Sequence, residues 1–201
     1  MARDAFDPVA QVRATLAASA RAKLAVADTL AEPIARAGEW IAACYRAGGK
    51  TLLFGNGGSA SDAQHIAAEW VGKLGPDRAA LPSIALSANP SELTAIGNDY
   101  GFERVFARGV EAHGRAGDVA VAISTSGNSP NVIAAVEEAR RRGLRSIGLL
   151  GKGGGKLAPL VELALVVPSA DTQRIQECHI AIGHALAELV DRLLFPELGG
   201  S

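Results

Sequence analysis

Two stretches of the chain have the composition of a phosphate cradle. Gly55-Asn56-Gly57-Gly58-Ser59 combines glycines, which permit positive φ and close approach of a ligand to the backbone, with the hydroxyl donor of Ser59. Ser124-Thr125-Ser126-Gly127-Asn128-Ser129 sets four hydroxyls around one glycine, directly ahead of Pro130, a residue favoured at the first position of a helix. A helix entrance offers free backbone N–H groups and the positive end of the helix dipole, so the second stretch reads as a cup for a tetrahedral dianion. Serine and glycine also cap and turn ordinary strand-to-helix loops. Two such loops in one sheet favour the phosphate.

Two pairs of side chains could move protons beside that cradle. His65 and Glu69 are four apart in a mainly apolar stretch with Ile66, Ala67, Ala68 and Trp70, so on a helix they share a face about 40° apart. Gln176 and His184 are eight apart, about 80° around a second helix and on one broad face. An ionisable pair on an apolar helix, two turns from a phosphate loop, is a candidate functional site. The bland alternatives are a solvated surface couple for His65 and Glu69 and a satisfied core histidine for His184. His179 lies about 140° around its helix from His184 and is expected to serve elsewhere, and His113, in Ala112-His113-Gly114-Arg115, reads as a surface loop residue.

The elements that must carry these groups alternate. Thr51–Phe54, Ser83–Leu86, Val119–Ser124, Ser146–Leu150 and Leu163–Val167 are short, continuously apolar runs, the pattern of parallel strands buried on both faces. Helical patterns lie between them at Ala60–Lys73, at Pro90–Gly97 together with Phe102–Glu111, at Asn131–Arg142 and in a short piece at Lys156–Val161. This βαβα order predicts an α/β fold, a three-layer sandwich around a five-stranded parallel sheet with right-handed crossovers. Two helices, or one broken at Glu32-Pro33, lead the chain from Pro8 to Ala47, and a long helix at Thr172–Phe195 closes it, with Pro196 and Gly199-Gly200 as stop signals. With no repeat or low-complexity linker, residues 1–201 are expected to form one domain: helices to about residue 49, the sheet core over 50–170, and the last helix over 171–201. The terminal helices are apolar on more than one face, which implies an oligomer.

Composition narrows the functions. Of 201 residues, 48% are hydrophobic, and 20 Lys and Arg against 21 Asp and Glu leave a formal charge of −1. No sequence-wide basic field exists to hold nucleic acid or an anionic membrane, so neither is an expected partner. The longest uncharged run, Val119–Val136, is rich in Ser, Thr, Asn, Gly and Pro and unsuited to a bilayer. Cys44 and Cys178 are the only cysteines and read as buried, inert thiols. The opening MARDAFDP carries acids and a proline where an export signal would need an apolar run, so a cytoplasmic location is expected. Gly55-x-Gly57-x-x-Ala60 fits a dinucleotide fingerprint formally, but no acid ends the second strand to hold a ribose. Gly151-Lys152-Gly153-Gly154-Gly155-Lys156 matches a P-loop in composition only and reads as a flexible strand-to-helix turn with solvated lysines.

GNGGSASDAQHIAAE at Gly55–Glu69, LTAIGNDYGFE at Leu93–Glu103, ISTSGNSPNV at Ile123–Val132 and RIQECHIAIGH at Arg174–His184 resemble the phosphoheptose isomerases of the sugar isomerase (SIS) domain family. The resemblance spans nearly the whole chain. It implies a flavodoxin-like SIS fold, conversion of sedoheptulose 7-phosphate to D-glycero-D-manno-heptose 7-phosphate on the way to ADP- or GDP-heptose, and a homotetramer with active sites between subunits. By motif position, Ser59, Ser124, Thr125, Ser126 and Ser129 would hold the phosphate, and Asn56, Gly57, Gly58, Asn98, Asp99 and Gln176 would complete the substrate site. Glu69 and His184 would be the acid/base pair. Some family members resemble zinc proteins, and His65, Glu69, Gln176 and His184 would then be the ligands, an N/O set suited to zinc. Some relatives place an Asp three residues before the glutamine, where this chain has Gln173. Nearby Asp171 or Thr172 is expected to cap the last helix. The competing readings are a non-catalytic SIS sugar-phosphate sensor, an adaptor resembling the bacterial replication-initiator-associating protein, and an isomerase of another phosphosugar. Having Glu69 and His184 together favours the enzyme.

Overall fold

The computed structural model describes residues 6–198. Met1–Ala5 of the opening segment and the expected stop signal Gly199-Gly200 lie outside the described residues. Helix α1 (Pro8–Arg46) is followed by β1 (Thr51–Gly55), α2 (Gly58–Val71), β2 (Ser83–Ala85), α3 (Pro90–Tyr100), α4 (Val105–His113), β3 (Val119–Ser124), α5 (Pro130–Arg141), β4 (Arg145–Leu150), β5 (Leu163–Val166) and α6 (Thr172–Leu194). The five strands form one parallel sheet in the order β2-β1-β3-β4-β5.

Each strand feeds two cores, which is why the strand runs are apolar without alternation. Leu53, Val121, Ile123, Ile147, Leu149 and Leu165 pack with residues of α1, α2 and α6 on one face. Leu52, Phe54, Ala120, Ala122 and Leu150 pack on the other with α4 and α5, joined by Leu93 and Ile96 of α3. The order of β1 and β3 places the first and second glycine/serine loops side by side, since Gly55 pairs with Ile123 at the carboxyl edge of the sheet.

The expected break at Glu32-Pro33 is not there. Pro33 sits inside one 39-residue helix, although an interior proline costs about 3 kcal/mol. Docking against α6 on both sides of Pro33 outweighs that cost. Arg174 of α6 donates to the Thr15 carbonyl (2.7 Å) and Arg46 donates to that of Leu193 (2.6 Å). At Gly38 the helices come so close that an added Cβ would lie 2.5 Å from Leu189. Val9, Val12, Leu16 and Leu24 remain exposed along α1, the side expected to be apolar without an intrachain partner.

Two further expectations are corrected. Lys156–Val161 is a run of turns, and the regular piece lies earlier, as a 3₁₀ turn at Lys152–Gly154. The N–H groups of Lys156 and Leu157 are drawn to Asn128 Oδ1 (3.1 Å) and the Gly127 carbonyl (2.9 Å), and Pro159 brings no N–H at all. His113 is the last residue of α4 and half-buried, not part of a surface loop. No described helix is long and apolar enough to cross a membrane.

Candidate active site

Both glycine/serine loops are built by close backbone contact. A Cβ on Gly55 would lie 2.6 Å from the Ile123 carbonyl and 2.8 Å from Ser59 Cβ, so only glycine fits between β1 and β3. Gly57, at φ 57°, turns the chain into α2. The loops are then bolted together by two reciprocal amide bonds, Asn56 Nδ2 to Asn131 Oδ1 (2.8 Å) and Asn131 Nδ2 to Asn56 Oδ1 (2.9 Å). In the second loop, Ser124 Oγ accepts from the Gly127 amide at 3.1 Å and lies 3.1 Å from Ser129 Oγ, while Ser126 Oγ accepts from the Asn128 amide at 3.2 Å. Gly127 takes φ 64°.

The starts of α2 and α5 carry no side-chain cap. By contrast, Asp7, Asn89 and Asp171 cap α1, α3 and α6 through their carboxylate or amide oxygens. Helix donors are thus left for a ligand at the edge where Ser59, Ser124, Thr125, Ser126 and Ser129 gather. Asp171 Oδ1 accepts from the Gln173 amide at 2.9 Å, the capping role expected of that stretch.

Beside the buried apolar face of α2, a partly exposed flank holds the titratable cluster against α6, with the His65 side chain 50% exposed and that of Glu69 17%. His65 Nε2 lies 3.0 Å from Glu69 Oε1 and 3.2 Å from His184 Nε2, with the two imidazole rings 5.0 Å apart. One ligating atom from each of His65, Glu69 and His184 falls within 4.8 Å of the others. A single proton on His65 Nε2 can serve only one of its two neighbours, so lone pairs converge there. That convergence of nitrogen and oxygen donors suits a divalent cation. Gln176 lies against the start of α2, where a Cβ on Gly58 would be 2.3 Å from its Nε2.

What sets the α2–α6 geometry is Arg78, a residue without any signal in the sequence. Its side chain is 1% exposed. It donates to the carbonyls of Glu69 (2.8 Å), Trp70 (2.9 Å) and Gly72 (3.0 Å), closing the carboxyl end of α2, and its Nε donates to Asp191 Oδ1 of α6 at 2.7 Å. Asp62, one turn before His65, has a buried Oδ2 with no partner, and burial raises its carboxyl to about 6 against the pull of His65. His179 faces the sheet, its Nε2 3.1 Å from the Leu150 carbonyl, and burial lowers it to about 4. Asn98 and Asp99 lie on exposed α3, where Asp99 Oδ1 accepts from Asn98 Nδ2 at 2.8 Å; no hydrogen bond among the described residues links them to the two loops or the cluster. Asn56 and Asn131 show one more thing composition hid: Asn131 looked like an ordinary first-turn helix residue.

The SIS domain signature matches residues 16–151. A phosphoheptose isomerase from Geobacter sp. (strain M21) is 54% identical over 185 residues, 92% of this chain and 96% of that protein. The chain belongs to the phosphoheptose isomerases of the SIS domain family. The likeness extends to solved structures: the phosphoheptose isomerase of Neisseria gonorrhoeae superposes with a TM-score of 0.87 at 47% identity, over 92% of this chain and 99% of that one. That of Francisella tularensis reaches 0.90 at 36% identity, over 93% and 100%. Family membership makes the protein an aldose–ketose isomerase, an enzyme whose chemistry needs the proton-carrying groups that α2 and α6 bring together.

Proposed function

We propose that the protein converts D-sedoheptulose 7-phosphate to D-glycero-D-manno-heptose 7-phosphate, with the phosphate held by Ser59, Ser124, Thr125, Ser126 and Ser129 and the reacting carbons placed at Glu69 and His184. The observation that carries this reading is the convergence of His65 and Glu69, on the helix that begins at the phosphate loop, with His184 of α6. Moving a carbonyl from C2 to C1 requires loss of a proton from C1, an enediol, and return of a proton to C2. Glu69 takes the proton at carbon and gives it back to the neighbouring carbon. His184 carries the oxygen-bound proton between O1 and O2 and assists ring opening. Asn56, Gly57, Gly58 and Gln176 line the chain of hydroxyls. Each positioned acid or base typically contributes about 10²–10⁴-fold.

His65, Glu69, Gln176 and His184 would hold zinc, which as a Lewis acid would polarise the substrate's carbonyl and hydroxyl oxygens; Glu69 and His184 bound to zinc are less free to carry protons, so the metal-binding and acid/base roles belong to different states. The exposed apolar stripe of α1 supports a homotetramer with active sites between subunits, in which Asn98 and Asp99 on exposed α3 would reach the site of another copy. Two unpaired buried cysteines support work in the cytoplasm. Isomerisation in D₂O tests the proton assignment: the wild type is expected to wash deuterium into C1 or C2, and Glu69→Gln is expected not to. Label appearing in the Glu69→Gln product would remove Glu69 as the base.

A further inference from the structure

Lys152 and Lys156 of the glycine-rich segment Gly151–Lys156 are exposed, as its composition suggests, but its backbone is not free. It lies directly on the second phosphate loop. A Cβ on Gly127 would fall 2.0 Å from the Gly154 carbonyl oxygen, and one on Gly155 would fall 2.6 Å from the Ser126 carbonyl oxygen and 2.7 Å from Asn128 Nδ2. Backbone therefore rests on backbone, with the Asn128 carboxamide set between Gly155 and the loop. Gly153, Gly154 and Gly155 all take positive φ, at 77°, 86° and 52°, and so does Lys152, at 49°. A side chain rarely adopts that region unaided, so the surrounding contacts hold the turn in place.

Those contacts run in two directions. Toward the phosphate loop, the Lys156 amide donates to Asn128 Oδ1 at 3.1 Å, the Leu157 amide donates to the Gly127 carbonyl at 2.9 Å, and Asn128 Nδ2 donates to the Ser126 carbonyl at 2.9 Å. Toward α6, the Lys152 amide donates to the Ser169 carbonyl at 3.2 Å, and a Cβ on Gly151 would meet Ile175 at 2.5 Å, next to Gln176. Only the backbone of Lys156 enters this network. Asn128 is the one side chain in these bonds to reach both segments.

We propose that the Gly151–Lys156 turn is the template that fixes the phosphate-binding backbone of Ser124–Ser129, with Asn128 as the positioning residue that joins the two. This inference rests on the phosphosugar reading of the site. Asn128 does not touch the phosphate; it holds the Ser126 carbonyl and the Gly127 turn so that the neighbouring hydroxyls and amides point into one cup. Losing it loosens ground-state and transition-state grip on the phosphate alike, which raises KM and leaves kcat.

The test compares wild type, Asn128→Ala, Gly155→Ala and Lys156→Met in three measurements: steady-state isomerisation of sedoheptulose 7-phosphate, competitive inhibition by inorganic phosphate, and thermal midpoint. Asn128→Ala and Gly155→Ala are expected to raise both KM and the phosphate inhibition constant about tenfold, with kcat within threefold of wild type. Lys156→Met keeps the amide and is expected to change neither constant by more than twofold. A lowered thermal midpoint with unchanged KM and phosphate inhibition would make the contact merely structural and overturn the proposal. So would an equal loss in Lys156→Met, which would assign the effect to the ammonium group. A wild-type protein that neither turns over the sugar nor is inhibited by phosphate would sink the phosphosugar reading itself, and this inference with it.

Discussion

The amino edge of the sheet and the candidate site treat their polar groups in opposite ways. At the amino edge, Asp118 before β3 is saturated: it accepts from the Lys50 amide (2.9 Å), from Lys50 Nζ (2.6 Å) and from the Arg115 amide (2.9 Å), and its side chain is 3% exposed. At the candidate site, α2 and α5 start uncapped at the carboxyl edge of the sheet, and farther along α2 Glu69 shares one imidazole nitrogen with His184 of α6. Completed valences mark groups that hold the fold, and open valences gathered in one place mark groups that await a ligand.

Substitutions in each group break this comparison most sharply. Glu69→Gln and His184→Gln are expected to lower kcat by about 10²–10⁴-fold while the thermal midpoint stays near that of wild type, because neither side chain closes a structural network. Steady-state rates alongside thermal melts check this. Asp118→Ala should do the reverse. It orphans the Lys50 and Arg115 amides in a buried setting and is expected to cost about 2–3 kcal/mol in denaturant unfolding, with kcat retained.

Smaller changes sharpen the contrast between helix starts. Ser124→Ala removes a hydroxyl at an uncapped entrance and is expected to raise KM several-fold more than it lowers stability. Asp171→Ala removes a cap and is expected to cost about 1 kcal/mol in unfolding with little effect on phosphate inhibition. His179 gives the one effect tied to pH. Burial lowers it from 6.5 to about 4, so between those values the unfolded chain binds a proton that the folded chain does not. Stability is therefore expected to fall as pH drops through that window. His179→Gln is expected to flatten this slope in urea melts at pH 7 and pH 5.

Much of this was legible in the sequence because it rests on local patterns. Continuous apolar runs mark strands buried on both faces, and all five lie within a residue or so of their expected bounds. The glycine and serine composition marks the two loops, and helical spacing puts His65 beside Glu69. What the sequence hid depends on distant partners. Pro33 reads as a break until α6 packs along both sides of it. Arg78 sits in an unremarkable loop yet closes α2 and reaches α6. Asn128 and Asn131 look like turn and helix-start residues until their amides meet groups 28 and 75 positions away. The Gly151–Lys156 turn looked loose because glycine composition reports conformational freedom and not what the backbone rests on.

The central claim is that the open valences at the uncapped starts of α2 and α5 and between α2 and α6 are an isomerase site. Incubating the purified protein with sedoheptulose 7-phosphate, with and without added zinc, and following the sugar phosphates by NMR tests it most directly. The account predicts that D-glycero-D-manno-heptose 7-phosphate accumulates with the wild type and not with Glu69→Gln or His184→Gln. Substrate that binds yet is never converted under either metal condition would contradict it.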